Sequence, residues 1–238
     1  MAEESLSYFL YLVVSLSVLH TLIGPDHYVP FVAMGRAGGW SFRRTLAITA
    51  ACGAGHVLGS LVIGMAGMAI GIAVGGLAWF EEARGNLAGW LLLGFGLIYF
   101  AWGIKQAVRN KPHSHVHVHA DGTTHRHAHT HSGEHMHVHE DGAKKRQITP
   151  WILFTIFVFG PCEPLIPILM LAASSLGWEA AVLVCTVFAL GTVSTMLLMV
   201  AAGYHGLSHG RVGQLHRYGH ALAGLSITAC GLAMRSGL

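Results

Sequence analysis

The chain has 238 residues, 53% of them hydrophobic and only 11% charged, with 18 histidines and a formal net charge of +3. So few charges on so apolar a chain exclude an ordinary water-soluble globule, and basic residues confined to short segments exclude a nucleic-acid-binding surface. Length and composition fit a bundle of helices embedded in lipid.

Six apolar stretches, at about 6–23, 46–70, 87–107, 151–173, 179–203 and 219–237, are each long enough to cross a bilayer core. The first is led by Glu3 and Glu4 rather than a basic cluster, and no small-residue cleavage site follows, so it reads as a retained helix and not a signal peptide. The second stays apolar and Gly-rich through Gly76, which leaves a long or tilted helix and a re-entrant turn both open. Glu81, Glu82 and Arg84 read as a wet turn before the third. Trp40, Trp79, Trp90, Trp102, Trp151 and Trp178 fall near span ends as an interfacial belt, and 31 glycines suit close helix packing. Cys52, Cys162, Cys185 and Cys230 form no Cys-x-x-Cys pair and read as packing residues, Cys162 being the exception worth testing.

Of the 14 Lys and Arg, all but Arg84 and Arg235 fall on the first, third and fifth loops. The positive-inside rule then puts those loops in the cytoplasm and both termini outside a cytoplasmic (inner) membrane.

Gly24-Pro25-Asp26-His27 ends the first stretch and Gly160-Pro161-Cys162-Glu163 interrupts the fourth, at an offset of 136 residues. Gly55 and Gly67 match Gly191 and Gly203 at the same offset, and Ala88-Gly89 and Gly96 match Ala223-Gly224 and Gly231 at 135. Three spans separate equivalent helices, and an odd number of crossings inverts the second half. The expected fold is therefore all-α: six transmembrane helices as two inverted three-helix repeats with broken first helices. The first repeat covers residues 1–108 and the second 150–238, with a loop over 109–149. Proline removes a backbone donor and clashes with the preceding turn, so each Gly-Pro breaks its helix and frees carbonyls to line a cavity. Paired interruptions of this kind point to a transporter site near the midplane; two ordinary proline kinks are the plainer reading.

Ionisable side chains inside spans are costly and are site candidates by default. His20, Asp26 and His27 surround the first break, and imidazole plus carboxylate suits a divalent first-row cation; capping at a span mouth is the alternative for Asp26 and His27. Glu163 stands where His27 stands in the other half, and Cys162 where Asp26 stands. His56, in Gly53-Ala54-Gly55-His56, is flanked by small residues that admit a neighbouring helix; its counterpart is Thr192, so any ligand there is expected from one half only. Ser194 and Thr195 are hydroxyl contacts or interhelical glue. His205, His209, His216 and His220 gather on the fifth loop and read as solvated, a metal release or loading station being the alternative.

The loop over 109–149 carries His113, His115, His117, His119, His125, His127, His129, His131, His135, His137 and His139, nearly all at alternate positions. Neutral imidazoles bind nickel, copper, zinc and ferrous iron, and a tract this polar has too little apolar content to fold alone. Metal capture is the expected role; a solvated loop that changes charge with pH is the alternative.

The His20 to Asp26-His27 arrangement resembles the nickel/cobalt permease signature, a His shortly before an Asp-His pair on one helix, with five residues intervening here. The Gly160-Pro161-Cys162-Glu163-Pro164 element, six spans and a central His-rich loop resemble, over essentially the whole chain, the membrane proteins named for urease accessory protein H and the nickel/cobalt efflux proteins. These belong to the wider lysine-exporter-like superfamily. The resemblance implies transport of nickel or cobalt as substrate, with efflux favoured over uptake for metalloenzyme maturation, and carries over His20, Asp26, His27 and Glu163 as matched positions. It implies no enzyme activity and no cofactor. The architecture is also similar to the thiol/electron carriers of cytochrome c maturation, which use one cysteine in each half; here Cys162 faces Asp26 instead. Metal storage without transport is a third reading. No nucleotide-binding motif is present, so energy would come from an ion gradient, coupled protons included, from the membrane potential, or from a partner subunit. Metal identity, direction and homo-oligomerisation stay open.

Overall fold

The computed structural model describes residues 2–71, 74–108, 113–118, 124–129, 149–206 and 218–236. Among them eight α-helices follow in the order α1 (Ala2–Ile23), α2 (Val29–Ala37), α3 (Phe42–Ala69), α4 (Val74–Val108), α5 (Thr149–Phe159), α6 (Leu165–Leu176), α7 (Trp178–Gly206) and α8 (Gly219–Ser236). A single 3₁₀ turn, Pro25–His27, joins α1 to α2. Strands β1 (His113–Val118) and β2 (Thr124–His129) pair antiparallel within the His tract, with His113 opposite His129, His115 opposite His127 and His117 opposite His125. Composition alone gave no reason to expect that pairing. His119, His131, His135, His137, His139, His209 and His216 lie outside the described residues.

Among the described residues, four helices are long and apolar enough to cross a membrane: Leu6–Ile23 of α1, Phe42–Ala69, Gly76–Val108 of α4 and Trp178–Gly206. Within the most apolar window of each, only 17–33% of residues are buried inside the fold. Leu12, Ile23, Leu58, Val62, Ile98, Leu190 and Leu198 all point outward. Exposed apolar surface on that scale needs an apolar surrounding, and marks the chain as a candidate multi-pass membrane protein. The fourth expected stretch is a pair of short helices, α5 and α6, divided at residues 160–164, and the sixth corresponds to α8.

Close helix contact here depends on glycine. Lipid supplies no hydrophobic drive between helices, so association rests on how closely backbones approach. A Cβ at Gly96 of α4 would stand 2.5 Å from the Thr228 nitrogen of α8, and one at Gly231 of α8 would stand 2.5 Å from the Leu93 nitrogen of α4. Elsewhere α1 packs on α7, and α3 packs on both α5 and α7. The buried apolar residues form two clusters, one with Phe31, Met34, Cys52, Phe157 and Met196 and the other with Val13, Val57, Cys162, Leu165 and Phe188.

Two expectations change. Trp40 is 3% exposed and packs within the first cluster rather than in an interfacial belt, whereas Trp79, Trp90, Trp102, Trp151 and Trp178 are exposed. Glu81 and Arg84 are not a wet turn. The third helix begins at Val74, more than a turn before them, so both ride on α4 and are 3% and 7% exposed. Their opposite charges at i and i+3 share one helix face.

Candidate metal centre

The first helix break places two of the candidate histidines. α1 stops at Ile23 because Pro25 has no N–H to continue the ladder. Gly24 still donates to the His20 carbonyl at 3.1 Å, and the His27 N–H closes the next turn on the Gly24 carbonyl at 3.1 Å. That tight turn folds the His27 ring back over Gly24: a Cβ there would lie 2.5 Å from His27 Nδ1 and 2.9 Å from Asp26 Oδ1. The absent side chain of Gly24 therefore makes room for the imidazole. The His27 ring comes to 4.7 Å from His20, centroid to centroid.

The third imidazole arrives from another helix. His56 lies at the middle of α3, on a stretch where Gly53 and Gly55 admit α7 and α5. Its ring is 5.1 Å from that of His27 and 6.5 Å from that of His20. Among the described residues, His20, His27 and His56 form a group able to hold a metal ion, each offering one nitrogen within 4.8 Å of the others. His27 and His56 are 4% and 3% exposed.

The partners of these rings decide which nitrogens face inward. His56 Nδ1 lies 3.3 Å from the Phe157 carbonyl, and His27 Nδ1 lies 3.1 Å from the Gly24 carbonyl and 3.3 Å from the Asp26 carboxylate. Carbonyl and carboxylate oxygens only accept, so Nδ1 carries a proton in both rings, and in the neutral ring Nε2 presents a lone pair. The Nε2 atoms of His20, His27 and His56 are all buried without a hydrogen-bond partner. Three buried ring nitrogens left unpartnered together are costly unless something binds them. Metal-binding histidines characteristically donate their other nitrogen to a carboxylate or carbonyl, which fixes the ring and raises its basicity. Tetrahedral bonds of about 2.0–2.1 Å need nitrogens about 3.3 Å apart, so shifts on the order of an ångström close the set.

Asp26 thus stands behind His27 rather than in the group of three. Asp26→Asn should lower metal affinity about 10- to 100-fold, the usual cost of losing an outer partner, with little change in thermal stability. Competition against a chromophoric chelator reads this directly, and an unchanged constant would detach Asp26 from the centre.

Cys162 and Glu163 lie elsewhere. The Cys162 thiol packs in the second apolar cluster, and Glu163 is exposed, lining a cavity of about 310 Å³ with Glu81 and Glu82. All four cysteines are free and buried, Cys52 and Cys162 in different clusters. Ser194 is exposed, and the Thr195 hydroxyl is taken by the Gly191 carbonyl. His220 meets the Tyr99 hydroxyl at 2.7 Å beside a cavity of about 370 Å³ that Trp102 and Thr149 also line, at the end of the bundle where α4 stops and α5 begins. His205 packs against Phe42.

A second polar network holds the other break. Arg84 pairs with Glu81 and donates to Ser60 Oγ at 3.1 Å, to the Val158 carbonyl at 2.9 Å and to the Gly160 carbonyl at 3.2 Å. Ser60 donates to Glu81 at 3.0 Å, and the Cys162 N–H reaches Ser60 at 3.0 Å and Glu81 at 3.2 Å. Groups that proline frees from the α5 ladder are thus satisfied by side chains of α3 and α4. The network abuts the three-histidine group, since a Cβ on Gly160 would lie 3.2 Å from His56 Nδ1. A sequence reader could find the pair from opposite charges three residues apart inside an apolar run; Ser60 gives no such signal.

No protein-family model, curated protein or solved structure matches this chain.

Proposed function

We propose that the chain is a multi-pass carrier that moves a divalent transition-metal ion, nickel or cobalt, across a cytoplasmic membrane, outward from the cell. The observation that carries this reading is the convergence of three unpartnered imidazole nitrogens in the buried centre of an apolar helix bundle. Imidazole donors suit nickel, cobalt, copper and zinc, and a neutral three-nitrogen set binds without burying a fixed negative charge. A site between helices, reached from broken segments, is where secondary transporters bind cargo.

Two inverted repeats give such a carrier its alternating access. Displacing α3 (Phe42–Ala69) by 136 residues gives 178–205, against Trp178–Gly206 for α7, and displacing α2 (Val29–Ala37) gives 165–173, inside Leu165–Leu176 of α6. The pairings exchange in the same way: α1 packs on α7 as α5 packs on α3, and α2 packs on α7 as α6 packs on α3. Joined across its break, α5 with α6 forms one span, and with α8 the count becomes six. The Lys/Arg bias puts the His tract in the cytoplasm, where it gathers dilute metal for export.

Moving a divalent ion against about 100 mV costs roughly 4.6 kcal/mol, twice the single-charge value. Outward flux therefore needs a source of energy, and we assign that role to proton exchange at the imidazoles and Glu163 rather than to a partner subunit. The deciding experiment is nickel and cobalt flux in proteoliposomes of the purified chain, with and without a proton gradient. Saturable binding without flux would replace transport by storage, and flux indifferent to the gradient would remove the proton coupling. Deleting residues 113–139 should slow transport only at low metal on the tract's side; equal rates there would end the scavenging role.

A further inference from the structure

We infer that the hydroxyl of Thr192 on α7 is the fourth donor of the metal centre. The inference rests on the reading of His20, His27 and His56 as a metal site.

Threonine hydroxyls inside helices ordinarily return their proton to the carbonyl one turn back. Thr21, Thr45, Thr49, Thr186, Thr195 and Thr228 do so here, at 2.8–3.1 Å. Thr192 does not: its Oγ1 is buried with no partner in a residue that is 0% exposed. Besides the three histidine Nε2 atoms, the buried unpartnered side-chain polar atoms among the described residues are this oxygen and Arg36 Nε. An orphan hydroxyl in a dry interior carries a desolvation cost that a valine in its place would avoid.

The neighbours of Thr192 place it at the level of the histidines. Gly191 abuts Ser17 on α1, three residues before His20. Val193 and Met196 abut Gly53 on α3, three residues before His56, at 3.3 and 3.0 Å from a Cβ built there. Phe188, one turn earlier on α7, sets its ring 6.4 Å from the His20 ring. Contacts on both sides thus wedge this turn of α7 between the helices that carry His20 and His56. Thr192 also occupies the position 136 residues after His56, so the second half contributes an oxygen where the first contributes an imidazole. Three imidazoles and one neutral oxygen make a four-donor set of the kind that tetrahedral cobalt(II) or zinc accepts.

The test uses the full-length chain in detergent, titrated with cobalt(II), whose visible absorption separates four-coordinate from six-coordinate binding. The triple variant His20→Ala, His27→Ala, His56→Ala keeps the His tract and serves as the blank. We expect an intense four-coordinate spectrum for the parent after subtraction. Thr192→Val should weaken cobalt binding by about tenfold or more, at least the loss that follows removal of an outer partner, and shift the visible bands. Its metal-free melting temperature should be unchanged or raised, since no hydrogen bond is lost. Thr192→Ser should restore both spectrum and affinity. A Thr192→Val chain with the parent's spectrum and affinity would overturn the inference while leaving the three-histidine site intact. A parent indistinguishable from the triple variant would overturn both.

Discussion

Replacing His56 by alanine should abolish metal flux and weaken metal binding by more than about a hundredfold, beyond what loss of an outer partner costs. The expectation follows from how His56 is held. Its ring is held by the Phe157 carbonyl and lies beside those of His20 and His27, so its removal takes one of three imidazoles from the group. The folded protein should tolerate the change: one hydrogen bond of about 1 kcal/mol is lost, and the glycines around His56 already set the helix spacing. Flux in proteoliposomes and a thermal melt in detergent separate the two effects. Normal flux through His56→Ala would move the pathway away from this cluster.

The second large effect concerns folding. Arg84→Met should destabilise the protein by about 3–5 kcal/mol, because removing one partner of a buried ion pair strands the other charge. Glu81 would remain 3% exposed without its cation, and the Val158 and Gly160 carbonyls would lose the donor that the helix break requires. Adding Glu81→Gln should recover much of the loss: the stranded charge disappears while the amide oxygen still accepts from the Cys162 N–H. Denaturant unfolding in detergent reads both variants. A single Arg84→Met chain as stable as the parent would mean that the pair is not buried in the membrane-embedded protein.

The contrast between these two sites shows what a linear sequence displays. Gly24-Pro25 and Gly160-Pro161 announce both helix breaks, because proline cannot continue a ladder wherever it falls. His20 and His27 are visible as site residues from that break, and His56 from the small residues beside it. The apolar helices are equally plain, since length and hydropathy are local properties. What each break does with its freed groups is not local. His27 and Glu163 hold the same offset position, yet His27 is buried against Gly24 and Glu163 is exposed beside Glu82. Successive helical positions diverge by about 100°, so small differences in exit angle turn equivalent residues inward or outward. Glu81 and Arg84 read as a turn because charge in an apolar sequence suggests water. Only packing brings Ser60, 21 residues from Glu81, and the carbonyls of the α5 break to satisfy them. The 136-residue offset names Thr192 as the counterpart of His56, but a threonine on an apolar helix is ordinary until its hydroxyl is found without a partner.

Within four residues at the end of α5, the Phe157 carbonyl is claimed by an imidazole and the Val158 and Gly160 carbonyls by a guanidinium. A rotation of that short segment cannot be felt by one claimant alone. Thermodynamic linkage makes the coupling reciprocal: by whatever factor a bound ion favours release of the Arg84 contacts, release of those contacts strengthens ion binding. A chain in which Arg84 is loosened but still folded would then report, through its altered affinity for metal, how much of the binding energy is directed into motion.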